Sequence, residues 1–109
     1  MPEIAAVVCT LNEAPRLDEC LKQFYKRVDL IILLDDESSD DTVDIAHSYV
    51  DKLVVRCVGD LVAQRNYAWS LVPDDVKWVI WVDADERWDH DFLLNIRDIL
   101  KKVKSSRRK

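Results

Sequence analysis

Two hydrophobic patterns alternate along the chain. Ile4 to Cys9, Leu30 to Leu34, Leu53 to Val58 and Trp78 to Val82 are short apolar runs, broken only by Arg56. Such runs predict strands buried on both faces of a parallel sheet. Between them apolar residues recur at helical spacing. Leu17, Cys20, Leu21 and Phe24 form one stripe, and Pro15 suits the first turn of that helix. Val43, Ala46, Tyr49 and Val50 mark a second helix, with Ser39 as its N-cap and Asp40 and Asp41 in its first turn. Leu61 to Val72 predicts a third helix, ended by Pro73. Asp89 caps a last one whose stripe is Phe92 or Leu93, Ile96, Leu100 and Val103.

Strictly alternating strands and helices with right-handed crossovers give an α/β fold, a doubly wound, Rossmann-like parallel sheet of four strands in order 3-2-1-4. The winding then reverses between the first and fourth strands, and ligands bind outside the carboxyl ends of strands at that point. Thr10, Asn12 and Glu13, Asp35 and Asp36, and Asp83 and Asp85 stand at those ends.

A chain of 109 residues, 49% hydrophobic and 34% charged, suits one domain that buries roughly 65% of its unfolded surface. We place it at residues 1–100, with 101–109 as the basic end of the last helix and a tail. All 21 acidic residues lie in residues 1–100 beside 10 of the 16 basic ones, so that body carries −11, whereas residues 101–109 carry six positive charges. The acidic body repels nucleic acid and favours a divalent cation. The basic end fits a helix C-terminus followed by a solvated segment, with weak contact to an anionic membrane surface as the alternative. Cys9, Cys20 and Cys57 form no Cys-x-x-Cys pair and read as small core residues in a reducing compartment. The start lacks a signal peptide's basic and apolar regions, and no run approaches the ~20 residues of a membrane helix. A cytoplasmic protein, at most peripheral at a membrane, is the expectation.

Two Asp-x-Asp pairs occur, and position separates them. Asp83-Ala84-Asp85 leaves a hydrophobic strand at the ligand-binding edge, whereas Asp89-His90-Asp91 sits where a helix N-terminus favours acidic residues. Two carboxylates one residue apart can hold one Mn2+ or Mg2+ that completes its shell with water and substrate phosphates. Asp35-Asp36 either hydrogen-bonds a base or ribose, or forms an Asx-turn into a helix. Arg65 offers a planar fork to a base edge or phosphate, or is a surface arginine. His47 and His90 read as helix-surface residues. Trp78 and Trp81 fall on opposite sheet faces, and Trp88 either covers a sugar or packs in the core. One glycine cannot build a dinucleotide-binding Gly-x-Gly-x-x-Gly.

Four motifs in this order resemble the nucleotide-binding half of the inverting family 2 glycosyltransferases of GT-A fold. Thr10-Leu11-Asn12-Glu13 is similar to the family's Thr/Tyr-x-Asn-Glu. Leu34-Asp35-Asp36-Glu37-Ser38-Ser39-Asp40-Asp41-Thr42 resembles Val-Asp-Asp-Gly-Ser-x-Asp-x-Thr, with Glu37 in the glycine's place. Arg65-Asn66-Tyr67-Ala68 resembles Arg-Asn-x-Gly, and Asp83-Ala84-Asp85-Glu86 the strand-borne Asp-Ala-Asp. The resemblance runs from the first strand to about residue 100. It implies that Thr10, Asp36 and Arg65 contact the base and that Asp35 and Asn12 support that pocket. Asp83 would reach ribose or metal, and Asp85 would ligate Mn2+ or Mg2+. The implied donor is a nucleoside-diphosphate sugar, a UDP-sugar being favoured, and the acceptor a carbohydrate or lipid-linked hydroxyl.

In the family a second half supplies the acceptor site and the base, so no catalytic base is assigned here and a truncated chain with weak or no transfer is expected. The outer edge of the fourth strand, which that half would pair, invites self-association. A non-catalytic nucleotide-sugar-binding or interaction module is the alternative. A haloacid dehalogenase-like phosphatase fits less well, since its Asp pair follows the first strand and Arg87 stands where it carries Thr or Val. A receiver-like domain also needs an acidic pair after the first strand, where this chain has Thr10-Leu11-Asn12.

Overall fold

The computed structural model describes residues 3–102. Strands β1 (Ile4–Thr10), β2 (Leu30–Asp35), β3 (Lys52–Val55) and β4 (Trp78–Val82) form one parallel sheet in the predicted order β3-β2-β1-β4. Helices α1 (Ala14–Phe24), α2 (Thr42–Ala46), α3 (Leu61–Ser70), α4 (His90–Leu94) and α5 (Ile96–Lys102) connect and follow them.

Alternation along β1 divides the core in two. Ile4, Ala6 and Val8 face the layer of α1, α2, α4 and α5, where Leu17, Cys20, Leu21 and Phe24 are buried as the stripe predicts. Ala5 and Val7 face Ala68 of α3 and Val72 and Val76 of the segment that follows it. Trp78 packs on the first cluster and Trp81 on the second, so the two do occupy opposite faces.

Several boundaries differ from expectation. Thr10 and Asp35 are the last residues of their strands and are register partners, not loop residues. β3 ends at Val55 because its neighbour β2 ends at Asp35, Val55's register partner. Arg56 adds one last hydrogen bond, to Asp35 O at 2.8 Å. Cys57 is therefore exposed rather than a core residue, whereas Cys20 is buried and burial pushes its thiol up to about 11.

Ser39 does not cap α2. Its N–H and hydroxyl both go to Asn12, and the helix starts only at Thr42 with Asp41 before it. α3 stops at Ser70, short of Val72. Asp89 does cap α4, accepting from Phe92 N–H at 2.9 Å. The last helix then breaks at Asn95, whose side-chain amide takes the Asp91 carbonyl at 2.9 Å and competes with the backbone for it. Leu93 and Ile96 are buried as predicted, while Val103 and the rest of the basic end lie outside the described residues. No described helix is long and apolar enough to cross a membrane.

Asp29 ties the start of β1 to α5. Its Oδ2 accepts the N–H groups of Glu3 and Ile4, both at 2.9 Å, and Arg97 pairs with both carboxylate oxygens at 2.8 and 3.1 Å. The Arg97 guanidinium, with the two backbone donors behind it, outweighs partial burial and holds the Asp29 carboxyl down to about 2. A carboxyl whose pKa is lower folded than unfolded stabilises the fold while ionised. The contribution is thus complete above its ordinary value near 3.8 and disappears as the pH falls towards 2. Solvent screening of this half-exposed pair limits it to about 1 kcal/mol. Asp29→Asn should unfold at a lower urea midpoint than wild type above pH 4, and the gap should close near pH 2.

Candidate functional site

The carboxyl ends of β2, β1 and β4 lie side by side; β2 and β4 lead into aspartates, and β1 ends in Thr10 with Asn12 just beyond it. At the β1–β2 end Asp35 is fully buried and saturated. Its Oδ1 accepts the Thr10 hydroxyl at 2.7 Å and the Ser38 hydroxyl at 2.6 Å, and its Oδ2 accepts Ser38 N–H at 2.7 Å. Asp36 is placed by its own N–H, which donates to Thr10 O at 2.9 Å. Its Oδ1 is buried with no hydrogen-bond partner among the described residues. An orphaned carboxylate oxygen of this kind costs free energy until a donor reaches it.

Asn12 clasps the loop after β2. Its Oδ1 accepts Ser39 N–H at 2.8 Å and its N–H donates to Ser38 Oγ at 2.8 Å. Both sides of the clasp need left-handed backbone, with φ of 52° at Asn12 and 54° at Glu37. Asparagine visits that region readily, while glutamate is strained there, and this accounts for a glycine at the equivalent place in the motif. Asp40 and Thr42 complete the clasp by capping the neighbouring helix. Thr42 Oγ1 accepts Glu13 N–H at 2.9 Å and Asp40 Oδ2 accepts Ala14 N–H at 3.2 Å, so α1 needs no cap from its own Glu13 side chain.

At the β4 end Asp83 and Asp85 are exposed on either side of the buried Ala84. Glu86 closes a tight turn: its N–H donates to Asp83 O at 2.9 Å and its Oε1 accepts Asp83 N–H at 2.7 Å. Arg87 donates to the carbonyls of Ala84 and Glu86 at 3.2 and 2.8 Å. Trp88 is half-buried, meets Phe24 edge-on at 5.5 Å and packs against the core.

Among the described residues no three His, Cys, Asp or Glu side chains group as a metal site. Two exposed carboxylates with a fixed loop behind them fit a hard cation that takes its other ligands from water and phosphate, and do not fit an all-protein cage. Arg65, exposed on α3, lies 5.5 Å from the centre of the Trp81 ring. It shares a cavity of about 100 Å³ with Cys9, Gln64, Trp81 and Asp83, which brings Arg65 and Asp83 to one recess. A larger cavity of about 330 Å³, beside Arg27 and the α4–α5 break, lies at the other end of the sheet and is lined by none of the candidate nucleotide or metal residues. His47 and His90 are exposed at helix ends.

Sequence reasoning passed over Gln23, took Ser38, Thr42 and Glu86 only as motif letters, and read Asp40 as a first-turn residue of α2 although it lies before that helix. The signal for Gln23 was there: a polar residue three positions after Cys20, on the buried side of α1.

The 3-2-1-4 parallel sheet, with carboxylates at its switch point, agrees with the GT-A fold that the sequence motifs imply. The chain belongs to glycosyltransferase family 2, whose model, described as glycosyl transferase family 2, matches residues 5–105. It is 38% identical over 86 residues to an uncharacterized glycosyltransferase of Rickettsia felis, covering 79% of this chain and 30% of that protein. A Rickettsia conorii uncharacterized glycosyltransferase is 37% identical over 84 residues, covering 77% and 29%. The chain thus spans under a third of these relatives.

Among solved structures, mannosyl-3-phosphoglycerate synthase from Rubrobacter xylanophilus aligns with a TM-score of 0.71 at 18% identity, covering 94% of this chain and 37% of that one. Glucosyl-3-phosphoglycerate synthase from Mycobacterium tuberculosis, crystallised with Mn2+, UDP and glucosyl-3-phosphoglycerate, aligns with a TM-score of 0.63 at 22% identity, covering 84% and 36%. These likenesses show the fold.

Proposed function

We propose that residues 1–100 bind a nucleoside-diphosphate sugar, with a UDP-sugar as the favoured donor, for inverting transfer to a carbohydrate or lipid-linked hydroxyl. The observation that carries this reading is the buried, unpartnered Asp36 Oδ1, an acceptor waiting for a donor on the base. Asp35 and Asn12 hold the loop around Asp36, and Thr10, buried with its hydroxyl on Asp35 and its carbonyl on Asp36 N–H, sets Asp36 in place and leaves only a carbonyl lone pair for the base. Arg65 supplies a cationic fork to the base or phosphates. Asp83 takes ribose or cation, and Asp85 the cation.

Bound Mn2+ or Mg2+ supplies Lewis-acid neutralisation of the charge that develops on the departing diphosphate. The chain's own residues bind and orient. A general base must lie within hydrogen-bond reach of the attacking hydroxyl, and we assign that role to no residue of this chain. Residues 1–109 alone should therefore bind the nucleotide with weak or no transfer.

Calorimetry of UDP, GDP and dTDP with and without Mn2+ tests the reading. Mn2+ should raise UDP affinity by on the order of tenfold or more, about 1.4 kcal/mol. Affinity for every nucleotide that ignores Mn2+ would contradict it.

A further inference from the structure

α1 holds the β4–α4 loop chiefly through one side chain. The Gln23 amide donates from Nε2 to Cys20 O at 3.1 Å and to Glu86 O at 3.0 Å, and its Oε1 accepts Trp88 N–H at 2.7 Å. Two of those groups belong to the chain immediately after the Asp83–Asp85 pair, and the third anchors the amide to its own helix. Cys20 Sγ adds a weak contact to Asp83 O at 3.7 Å, and Arg87 reaches back to Arg16 O on α1 at 3.4 Å. The acidic turn is thus closed on itself by Glu86 and held from behind by α1, with Gln23 the strongest link.

We propose that Gln23 is a positioning residue for the cation-binding loop, fixing where Asp83 and Asp85 present their carboxylates. The proposal rests on the reading that these two aspartates hold the cation. Small divalent ions demand near-ideal geometry, so a loop free to drift by an ångström loses affinity even with both carboxylates intact. Outer partners of metal ligands commonly matter by tenfold to a hundredfold in affinity. The Gln23 amide is committed to three backbone groups, so a role in folding alone would leave the ion's affinity unchanged.

Gln23→Met keeps the length and apolar stem and removes the amide, while Gln23→Glu keeps the acceptor for Trp88 N–H and removes both donors. Two measurements separate the outcomes. In the free chain, amide exchange should rise about tenfold across residues 83–88 in Gln23→Met and not across β1. In Gln23→Glu, Trp88 should stay protected. By calorimetry, Mn2+ affinity in the presence of UDP should fall about tenfold in Gln23→Met, while UDP affinity without metal stays within about twofold. A lower thermal midpoint with wild-type loop exchange, or with wild-type Mn2+ affinity, would overturn the proposal. Asp85→Ala run alongside distinguishes the two failures. If it keeps the Mn2+ response, the cation reading itself is wrong; if it loses the response while Gln23→Met does not, only the role of Gln23 falls.

Discussion

Asp85→Ala should abolish the Mn2+-dependent gain in UDP affinity, while Asp91→Ala, in the chain's other Asp-x-Asp pair, should leave it at the wild-type value. Even an outer partner of a metal ligand matters by up to about a hundredfold, so loss of a direct ligand should remove the effect. Asp85 is exposed and its carboxylate bonds to none of the described residues, so stability should move by no more than about 0.5 kcal/mol. The loss is then one of binding and not of folding, and equal thermal midpoints for the three proteins would establish that. A Mn2+ response retained by Asp85→Ala and lost by Asp91→Ala would move the site to the α4 N-terminus.

The second large effect separates two adjacent aspartates. Asp35→Ala leaves the Thr10 hydroxyl, the Ser38 hydroxyl and Ser38 N–H without their acceptor beneath the sheet edge. An unmet buried donor costs about 1–3 kcal/mol, and the two part-buried Ser38 donors, which water can reach in part, cost less, so the variant should lose about 3–5 kcal/mol, a large share of a small domain's stability. Asp36→Ala does the reverse, because it deletes an acceptor that has no partner. It should be as stable as wild type or more so by up to about 1 kcal/mol, yet bind UDP about ten to a hundredfold more weakly, the worth of one charged hydrogen bond. Urea midpoints and calorimetry on the same two proteins read both effects. Equal destabilisation by the two substitutions would mean that Asp36 is structural, like its neighbour.

This contrast shows what one sequence reveals. Strand order and both core faces were legible because buried parallel strands leave unbroken apolar runs and α1 leaves a clean stripe. The polar residues at the strand ends were legible as a group, because nothing in a packed sheet edge explains them. The division of labour among them was not. Asp35 and Asp36 look alike in sequence, and only the fold shows one carboxylate saturated and the other with an orphaned oxygen.

Ser39 looked like a cap because serine before an acidic turn usually is one. Asn12, 27 residues away, won its N–H and hydroxyl instead, and a contact of that range leaves no local trace. Cys57 belonged to an apolar run that outlasts its strand, since β3 cannot extend past the end of β2. The break at Asn95 was hidden by a stripe that continues across it through Leu93 and Ile96. Gln23 needed the β4–α4 loop folded against α1 before its amide had anything to hold.

The central claim is that one cation sits at the end of β4 while a base donor meets Asp36. Crystals of the 109-residue chain grown with UDP and MnCl2, with manganese located by its anomalous scattering, test this most directly. The account predicts one strong peak at the Asp85 carboxylate, about 2.0–2.3 Å from its nearest oxygen and shared with the diphosphate, with a base N–H on Asp36 Oδ1. Manganese at Asp89 and Asp91 instead, or a nucleotide whose base leaves Asp36 Oδ1 unpaired, would contradict it.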